Sequence, residues 1–417
     1  MRHPAGRHAR ALLVLLLWPG LAAGQTPAPP SPPPPAASPA AVTLEEALAL
    51  ARSNPTVTAA RMRRAVDQAG IDVAREIPNP DARYERAKET PRDNLSLSQL
   101  IELGGKRGRR IRIAEAVART GEAELAQTEA QVAAEVYLAF FGLAGAQRRL
   151  EVAREIQDLN ARARDAARAR FEVGDVSRLD VLQAELASYQ AENEATALEG
   201  ERAGARAELN ALIGREVTVP TVASEQVDLA VPEALAATAI ALEGNTALAV
   251  IDRQVEEARA RAALARAQRV PDPTVEGTLT HGAEPEFTWG YRYAVAIAVP
   301  IFTRHTAQVR VEEATLAMIL AQREAMAQRI RGAVAAAALR AASARLQYLR
   351  YRDDILPKSR EVEAMAQESY RAGQTNLVAL LQSLQAAREL RAKALQAAAD
   401  FEAALAALRQ AMTAGPK

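Results

Sequence analysis

Between Arg92 and Val219 the chain runs for 128 residues without a proline. Inside a helix proline removes a hydrogen bond and clashes with the preceding turn. A gap of this length, filled with Ala, Arg, Glu, Leu and Gln, therefore reads as very long helix. Gly105 to Phe171 alone is 67 residues, about 100 Å at helical rise. The segment Phe171-Glu-Val-Gly-Asp-Val-Ser-Arg-Leu-Asp180 then offers a glycine for a left-handed cap, and Asp175 or Ser177 to cap a returning helix. That helix is expected from Ser177 to Ile213, with Leu179, Leu182, Leu186, Tyr189, Asn193 and Thr196 forming a coiled-coil seam at 3–4 spacing. The stretch draws an antiparallel hairpin with a free tip at Gly174.

The drawing is repeated. Tyr370-Arg-Ala-Gly373-Gln-Thr-Asn376 restates the tip, and Leu381-Gln382 matches Leu182-Gln183 at an offset of 199 residues. Ile301 matches Ile101 and Ala314 matches Ala114 at 200, and Val270-Pro-Asp-Pro273 matches Ile77-Pro-Asn-Pro80 at 193. A period this long marks a duplicated half-domain and not a solenoid unit. Each half opens on short helices. Thr43-Leu-Glu-Glu46 is a capping box for a helix to Arg52, and Asn54-Pro55 caps one running to Ile77. Their counterparts are Pro232–Leu242 and Asn245–Arg269. Helix Pro55–Ile77 and the returning helix Ser177–Ile213 together come to about 90 Å, close to the long helix, so each half is expected to place such a pair, stacked end to end, beside its long helix.

Strands separate the helices. Trp289, Tyr291, Tyr293, Val295, Ile297, Val299 and Ile301 alternate with Gly290, Arg292, Ala294, Ala296, Ala298 and Pro300, a period of two that is the strand signature. Aromatics followed by aliphatics on one face fit the lipid side of an outer-membrane barrel strand, with Trp289, Tyr291 and Tyr293 at the rim and Ala296 toward the lumen. Val275, Gly277 and Leu279 make the preceding strand. In the first half Leu95, Leu97 and Ile101 alternate with Ser96 and Ser98, whereas the partner stretch Asp81 to Lys88 is highly charged. Four strands cannot close a barrel, for which about eight is the minimum, and an open edge is forbidden in lipid. The chain must oligomerise to sit in a membrane.

Residues 1–24 read as a secretory signal: Arg2, Arg7 and Arg10, an apolar core from Ala11 to Trp18, then Ala22-Ala23-Gly24. Residues 25–41 are a Pro/Ala-rich linker without a core. No later apolar run approaches 18 residues on this reading, so insertion falls to strands. There is no cysteine, which excludes disulfides and thiolate metal sites, and the net charge of +1 does not suggest nucleic acid as a partner.

No catalytic constellation is present, and no enzyme activity, cofactor or metal site is expected. His281, in an expected loop, and His305, at a helix start, have no partners at ligand or triad spacing. Leu103-Gly-Gly-Lys-Arg-Gly-Arg-Arg110 lacks the frame of a phosphate loop. Its basic residues lie either at a membrane surface near lipid phosphates or in a plainly solvated charge run.

The signal, the tandem helix–strand–strand–helix halves and the Gly-centred tips together resemble the TolC family of outer-membrane efflux channels over about residues 43–412. The motifs that carry it are Phe171-x-x-Gly174-x-x-Ser177-x-x-Asp180-x-Leu182 and Tyr370-x-x-Gly373. Glu102-Leu-Gly-Gly-Lys-Arg-Gly-Arg-Arg110 resembles the heavy-metal, CzcC-like branch. The resemblance implies a mainly α fold with a small β part. Tandem long-helix hairpins would form a periplasmic α-barrel, and four strands per chain would complete a 12-stranded trimeric outer-membrane β-barrel.

Residues 42–218 and 232–412 would be the two repeats, 219–231 the linker between them and 413–417 a tail. The resemblance further implies a passive homotrimeric duct in outer-membrane lipid, extending into the periplasm. Its partners would be a periplasmic adaptor and an inner-membrane resistance-nodulation-division pump exporting heavy-metal cations; drug efflux or type I secretion are the alternatives within the family. Adaptor contacts would be Val173, Gly174, Asp175, Val176 and Ser177, with Ala372, Gly373, Gln374, Thr375 and Asn376. Asp180 is the candidate aperture latch, or else a helix-start carboxylate. Relatives often carry a second acidic position; here Gln183, Ala379 and Gln382 stand where acids would complete a ring. Pro357 is expected to bend the second long helix about 20 Å above its tip. The rival from another class is a soluble exported coiled-coil scaffold.

Overall fold

The long helix forms as the missing prolines require. The computed structural model describes residues 40–224 and 229–414; the expected signal peptide, most of the first linker and the last three residues lie outside them. In chain order the elements are β1 (Ala40–Val42), α1 (Leu44–Ala51), α2 (Pro55–Arg75), β2 (Asp81–Arg86), β3 (Asp93–Leu100), α3 (Lys106–Glu172), α4 (Arg178–Leu212), β4 (Thr221–Ala223), α5 (Ala234–Gly244) and α6 (Thr246–Ala267). Then come β5 (Pro273–Ala283), β6 (Phe287–Ile297), α7 (Thr306–Arg350), a π turn at Tyr351–Ile355, α8 (Leu356–Arg371) and α9 (Leu377–Thr413). Helix α3 spans 67 residues.

Helix α3 touches α2 and α4, and also α6 and α9; α7 packs on α6 and α9, and α8 on α9. Many of the residues α3 buries are alanines, among them Ala116, Ala146, Ala153 and Ala167, small enough for neighbouring helices to approach closely. Two larger cores punctuate the bundle at equivalent positions. In the first, Val136, Phe140 and Leu143 meet Val57, Leu209 and Ile213. In the second, Ile330 and Val334 meet Leu248, Phe401, Leu405 and Leu408.

Beside each core one asparagine splices two helices end to end. Asn54 caps α2 by accepting from Thr56 N–H at 2.9 Å, while its Nδ2 donates to the Leu212 carbonyl at the end of α4, at 3.0 Å. Asn245 does the same for α6 and α9. Its Oδ1 accepts from Ala247 and Leu248 at 3.0 and 3.4 Å, and its Nδ2 donates to the carbonyls of Ala411 and Met412 at 3.0 and 3.2 Å. Each amide thus satisfies orphan donors of one helix and orphan acceptors of another. The stacked pairs expected from the lengths are α2 with α4 and α6 with α9.

Several expectations need correction. The β6 ladder stops at Ile297, opposite Pro273, and not at Ile301. Its partner strand begins there, and Pro300 has no N–H to extend the pairing. His281 lies in β5 and not in a loop. The end of the first linker is not free: Ala40, Ala41 and Val42 form a parallel ladder with Thr221, Val222 and Ala223 of the second linker, and Val42 is fully buried. The window Ala234–Ala267 is apolar enough to pass for a membrane span, contrary to the reading that no such run exists. It is broken, however, by extended backbone at Asn245, which divides it into α5 and α6.

The Leu179–Tyr189 seam does not face α3. Against it α4 buries Val181, Ala184, Ser188, Ala191 and Ala195, leaving Leu179, Leu182, Leu186 and Tyr189 exposed. Finally, the effect expected at Pro357 takes the form of a π turn immediately before it. A proline cannot donate to the carbonyl four residues back, and the wider turn re-routes the bonding there.

Candidate functional site

The two tips are built alike from different residues. At the first, Gly174 adopts φ 78°, Asp175 N–H reaches the Arg170 carbonyl at 2.9 Å, and the Arg170 guanidinium clasps the Asp175 carboxylate at 2.6 Å. At the second, Gly373 adopts φ 72° and Gln374 N–H reaches the Ser369 carbonyl at 2.9 Å. Both are left-handed closures in which glycine pays no Cβ penalty. A Cβ built on either glycine meets nothing within 4 Å. The backbone at Val173, Gly174, Asp175 and Val176, and at Ala372, Gly373, Gln374 and Thr375, is therefore presented without side-chain cover from the glycines.

Ser177 and Asn376 start the returning helices. Ser177 Oγ accepts from Asp180 N–H at 3.3 Å, and Asp180 Oδ2 accepts from Ser177 N–H at 2.9 Å and Ser177 Oγ–H at 2.6 Å, a complete capping box. The Ser177 donors hold the Asp180 carboxyl below the usual carboxylate range. That stabilisation is present at neutral pH and is lost as pH falls through the depressed value. At the second tip Asn376 caps Ala379 N–H at 2.9 Å, with no carboxylate in Asp180's place.

Where the hairpins meet above the tips, Tyr370 is buried with Ala167, Ala184 and Leu380, and Arg170 stacks 4.8 Å above its ring. Higher up, Arg391 pairs with Glu363 at 2.6 Å and lies 3.8 Å from Glu155, while Arg388 pairs with Glu194. Arg148 of α3 holds the buried Glu402 of α9 at 2.6 Å. Burial pushes the Glu402 carboxyl up, against the pull of that guanidinium. Sequence reasoning missed these pairs because their members sit on different, otherwise ordinary charged helices, 28 residues apart for Glu363 and Arg391, 194 for Glu194 and Arg388 and 254 for Arg148 and Glu402.

At the other end lies one antiparallel sheet of order β2-β3-β5-β6. Its register aligns Tyr84, Leu95, Leu279 and Tyr291 on one face, followed by Ala82, Leu97, Gly277 and Tyr293. On the opposite face it aligns Arg83, Ser96, Thr278 and Arg292, then Asp81, Ser98, Glu276 and Ala294. One side is apolar in its middle rows, with Gln99 and the end row Arg86, Asp93 and His281 as its polar members, and the other is polar; among the described residues no strand lies outside β2 or β6. The charged stretch from Asp81 is a strand because its alternate residues Ala82 and Tyr84 join the apolar face. Trp289 stands one row in from the Ala283–Phe287 pair at the β5–β6 turn, against His281 at 4.5 Å between rings. Tyr291 and Tyr293 follow inward. Strands β5 and β6 are 11 residues each, the length of a tilted membrane strand.

The basic run between sheet and helices is spent inside the chain. Lys106 pairs with Asp272 at 2.7 Å and donates to the Val270 carbonyl at 2.6 Å. Arg107 donates to the Arg75 carbonyl at 2.6 and 2.9 Å, and Arg110 donates to the carbonyls of Ala74 and Glu76 and pairs with Glu102 at 2.5 Å. These cations close the C-terminal ends of α2 and α6, where the helix dipole favours positive charge. Neither the lipid-phosphate nor the solvated reading describes Lys106, Arg107 and Arg110. His305 occupies a left-handed N-cap with φ 52°, where the first half has Gly105 at φ 67°.

The family model for outer membrane efflux proteins matches residues 47–215. The cobalt-zinc-cadmium resistance protein CzcC of Cupriavidus metallidurans is 31% identical over 303 residues, covering 70% of this chain and 72% of that protein. The chain belongs to the outer membrane efflux protein family.

Solved outer-membrane proteins share its fold across nearly the whole chain. The outer-membrane channel OprN aligns with a TM-score of 0.72 at 19% identity, covering 89% of this chain and 90% of its own. VceC of Vibrio cholerae aligns with a TM-score of 0.72 at 16% identity, covering 88% and 95%. The family is one of outer-membrane efflux proteins, so the chain belongs to the outer membrane and extends into the periplasm.

Proposed function

We propose that this efflux channel is the passive outer-membrane duct of a tripartite system. Three copies complete a 12-stranded barrel and a periplasmic helical barrel. A periplasmic adaptor and an inner-membrane resistance-nodulation-division pump supply heavy-metal cations from below. The observation that carries the assembly is the sheet: the middle rows of one face are apolar across four strands, and among the described residues neither edge is paired. Lipid tolerates such a sheet only when its edges are closed by other strands. The cargo rests on the likeness to CzcC and on the Glu102–Arg110 motif. Residues 42–218 and 232–412 are the two repeats of each copy. Two measurements test the reading. Light scattering of the detergent-solubilised protein should give a trimer, and deleting the gene should sensitise cells to cobalt, zinc or cadmium. A monomeric membrane form, or unchanged metal tolerance with lost drug tolerance, would overturn the respective half.

The tips are assigned to adaptor docking through Val173–Ser177 and Ala372–Asn376, because their backbones are open to close approach. Placing valine at Gly174 or Gly373 forces an L-residue into the left-handed region, a local cost of about 1–2 kcal/mol, with no clash to transmit. The trimer should survive intact, while pull-down of the adaptor and metal resistance fall together. A fully resistant variant with unaltered adaptor binding would remove the tips from the docking site.

Asp180 is proposed as part of the aperture latch in addition to its capping role. In planar bilayers without adaptor, Asp180→Ala is expected to raise single-channel conductance above wild type, whereas Ser177→Ala, which removes only the reciprocal cap, should not. Equal conductance for wild type and Asp180→Ala leaves the carboxylate as a helix-start residue alone.

A further inference from the structure

We infer that each copy binds a small inorganic anion, chloride or a tetrahedral oxyanion, in a cavity between its two hairpins just above the tips. The site lies within one chain, so it depends on neither the trimeric reading nor the cargo.

The cavity has a volume of about 70 Å³ and lies between α3 and the α8–α9 hairpin. A single water requires roughly 10–15 Å³, so an inorganic ion fits and a bulky organic one does not. Leu159 and Leu380 form part of its wall, and its polar lining is Arg162, Gln367, Tyr370 and Arg371. Among the described residues no carboxylate lines it.

Two observations turn that lining into a site. Tyr370 is 5% exposed, yet its hydroxyl has no hydrogen-bond partner among the described residues. Buried polar groups in native structures are partnered by protein, water or an ion, because leaving one unmade is costly. The second observation is charge. Arg162 gives its Nε to the Asp158 carbonyl at 3.3 Å, and among the described residues neither it nor Arg371 pairs with a carboxylate. Arg170, with its guanidinium 4.8 Å from the centre of the Tyr370 ring, adds a third cation; its partner Asp175 is outside the lining. Like charges bordering one space repel, and an anion there replaces the repulsion with charge-assisted hydrogen bonds to both hairpins. A water would satisfy the phenol and leave the guanidiniums unopposed. Both Arg162 and Arg371 are exposed, so ions reach the cavity from solvent. The bound anion ties α3 of the first half to α8 of the second.

The full chain, purified in detergent, is unfolded thermally in sodium gluconate at fixed ionic strength, with chloride or sulfate replacing gluconate stepwise. Fixed ionic strength removes general screening. Tm should rise along a saturating curve, as for any ligand of the native state. The ion that acts at lower concentration tells whether a monatomic or a tetrahedral anion is held. Exclusion of sulfate from protein surfaces raises Tm as well, but without saturating and equally in every variant. Arg162→Gln combined with Arg371→Gln should raise the half-saturating concentration by on the order of tenfold or more, the worth of one hydrogen bond to a charged group. Tyr370→Phe keeps the ring packed against Ala167, Ala184 and Leu380 and deletes only the orphan hydroxyl. In gluconate it should melt no lower than wild type, while its response to the anion weakens. A wild-type Tm that ignores both ions, or a response that the double arginine variant shares in full, overturns the site. An undiminished response in Tyr370→Phe does so too, and decides the matter if the arginine variant does not fold.

Discussion

Val295→Arg is expected to impair membrane insertion by about 2–4 kcal/mol, the cost of a guanidinium on the lipid face near the bilayer midplane. Val295 is 70% exposed and lies on the Tyr291–Tyr293 face of β6, paired with Val275. It is the midpoint of the apolar series from Trp289 to Ile301, whose last members Val299 and Ile301 remain exposed beyond the ladder. Ile297→Arg, at the strand end, should cost less because the penalty declines toward the interface. Ala296→Arg enters the polar face beside Thr274 and should be mild. Urea-dependent folding into liposomes measures all three. Equal tolerance of Val295→Arg and Ala296→Arg would mean that the strand does not lie in lipid.

Asn245→Leu is the second change with a large expected effect, on the stability of the helical part. It removes an N-cap, typically about 1 kcal/mol. It also leaves the carbonyls of Ala411 and Met412 without their donor in a site where Asn245 is 2% exposed, at roughly 1–3 kcal/mol. The loss should reach about 2–4 kcal/mol in denaturant unfolding. Asn245→Asp keeps the cap acceptor and loses the donor, so it should recover only the capping share. Asn54→Leu should cost less, since that amide reaches one carbonyl, Leu212, and is less buried. An Asn245→Leu protein as stable as wild type would show that the splice is held by side-chain packing alone.

Much of this architecture was legible in the residues. The proline gap gave α3 its full length, the Gly174 and Gly373 tips carried their caps, and alternation from Trp289 marked the apolar face of the sheet. What stayed illegible depends on partners remote in sequence. The role of Arg107 and Arg110 could not be read from a basic run, because their acceptors are backbone carbonyls of α2, which have no sequence signature. The Leu182 stripe was assigned to the wrong partner for a related reason. Heptad spacing reveals that a helix has an apolar face and says nothing of which neighbour covers it. In β2 the charge of Arg83, Glu85 and Arg86 obscured a strand whose apolar residues, Ala82 and Tyr84, share one face with Arg86 at its end. The Asn54 and Asn245 caps were visible, but their second hydrogen bonds were not.

The π turn at Tyr351–Ile355 has a mechanical consequence. Helix α3 is an unbroken rod from the membrane end to its tip, with its hydrogen-bond ladder continuous over 67 residues. Its counterpart in the second half is jointed, with a wide turn at Tyr351–Ile355 and then, one residue on, Pro357, which removes one rung. Two beams that share a load but differ in stiffness deflect unequally, and the jointed one yields first. A force applied at both tips would therefore move Gly373 and its hairpin further than Gly174, so the two halves, near-copies in sequence plan, serve as hinge and strut.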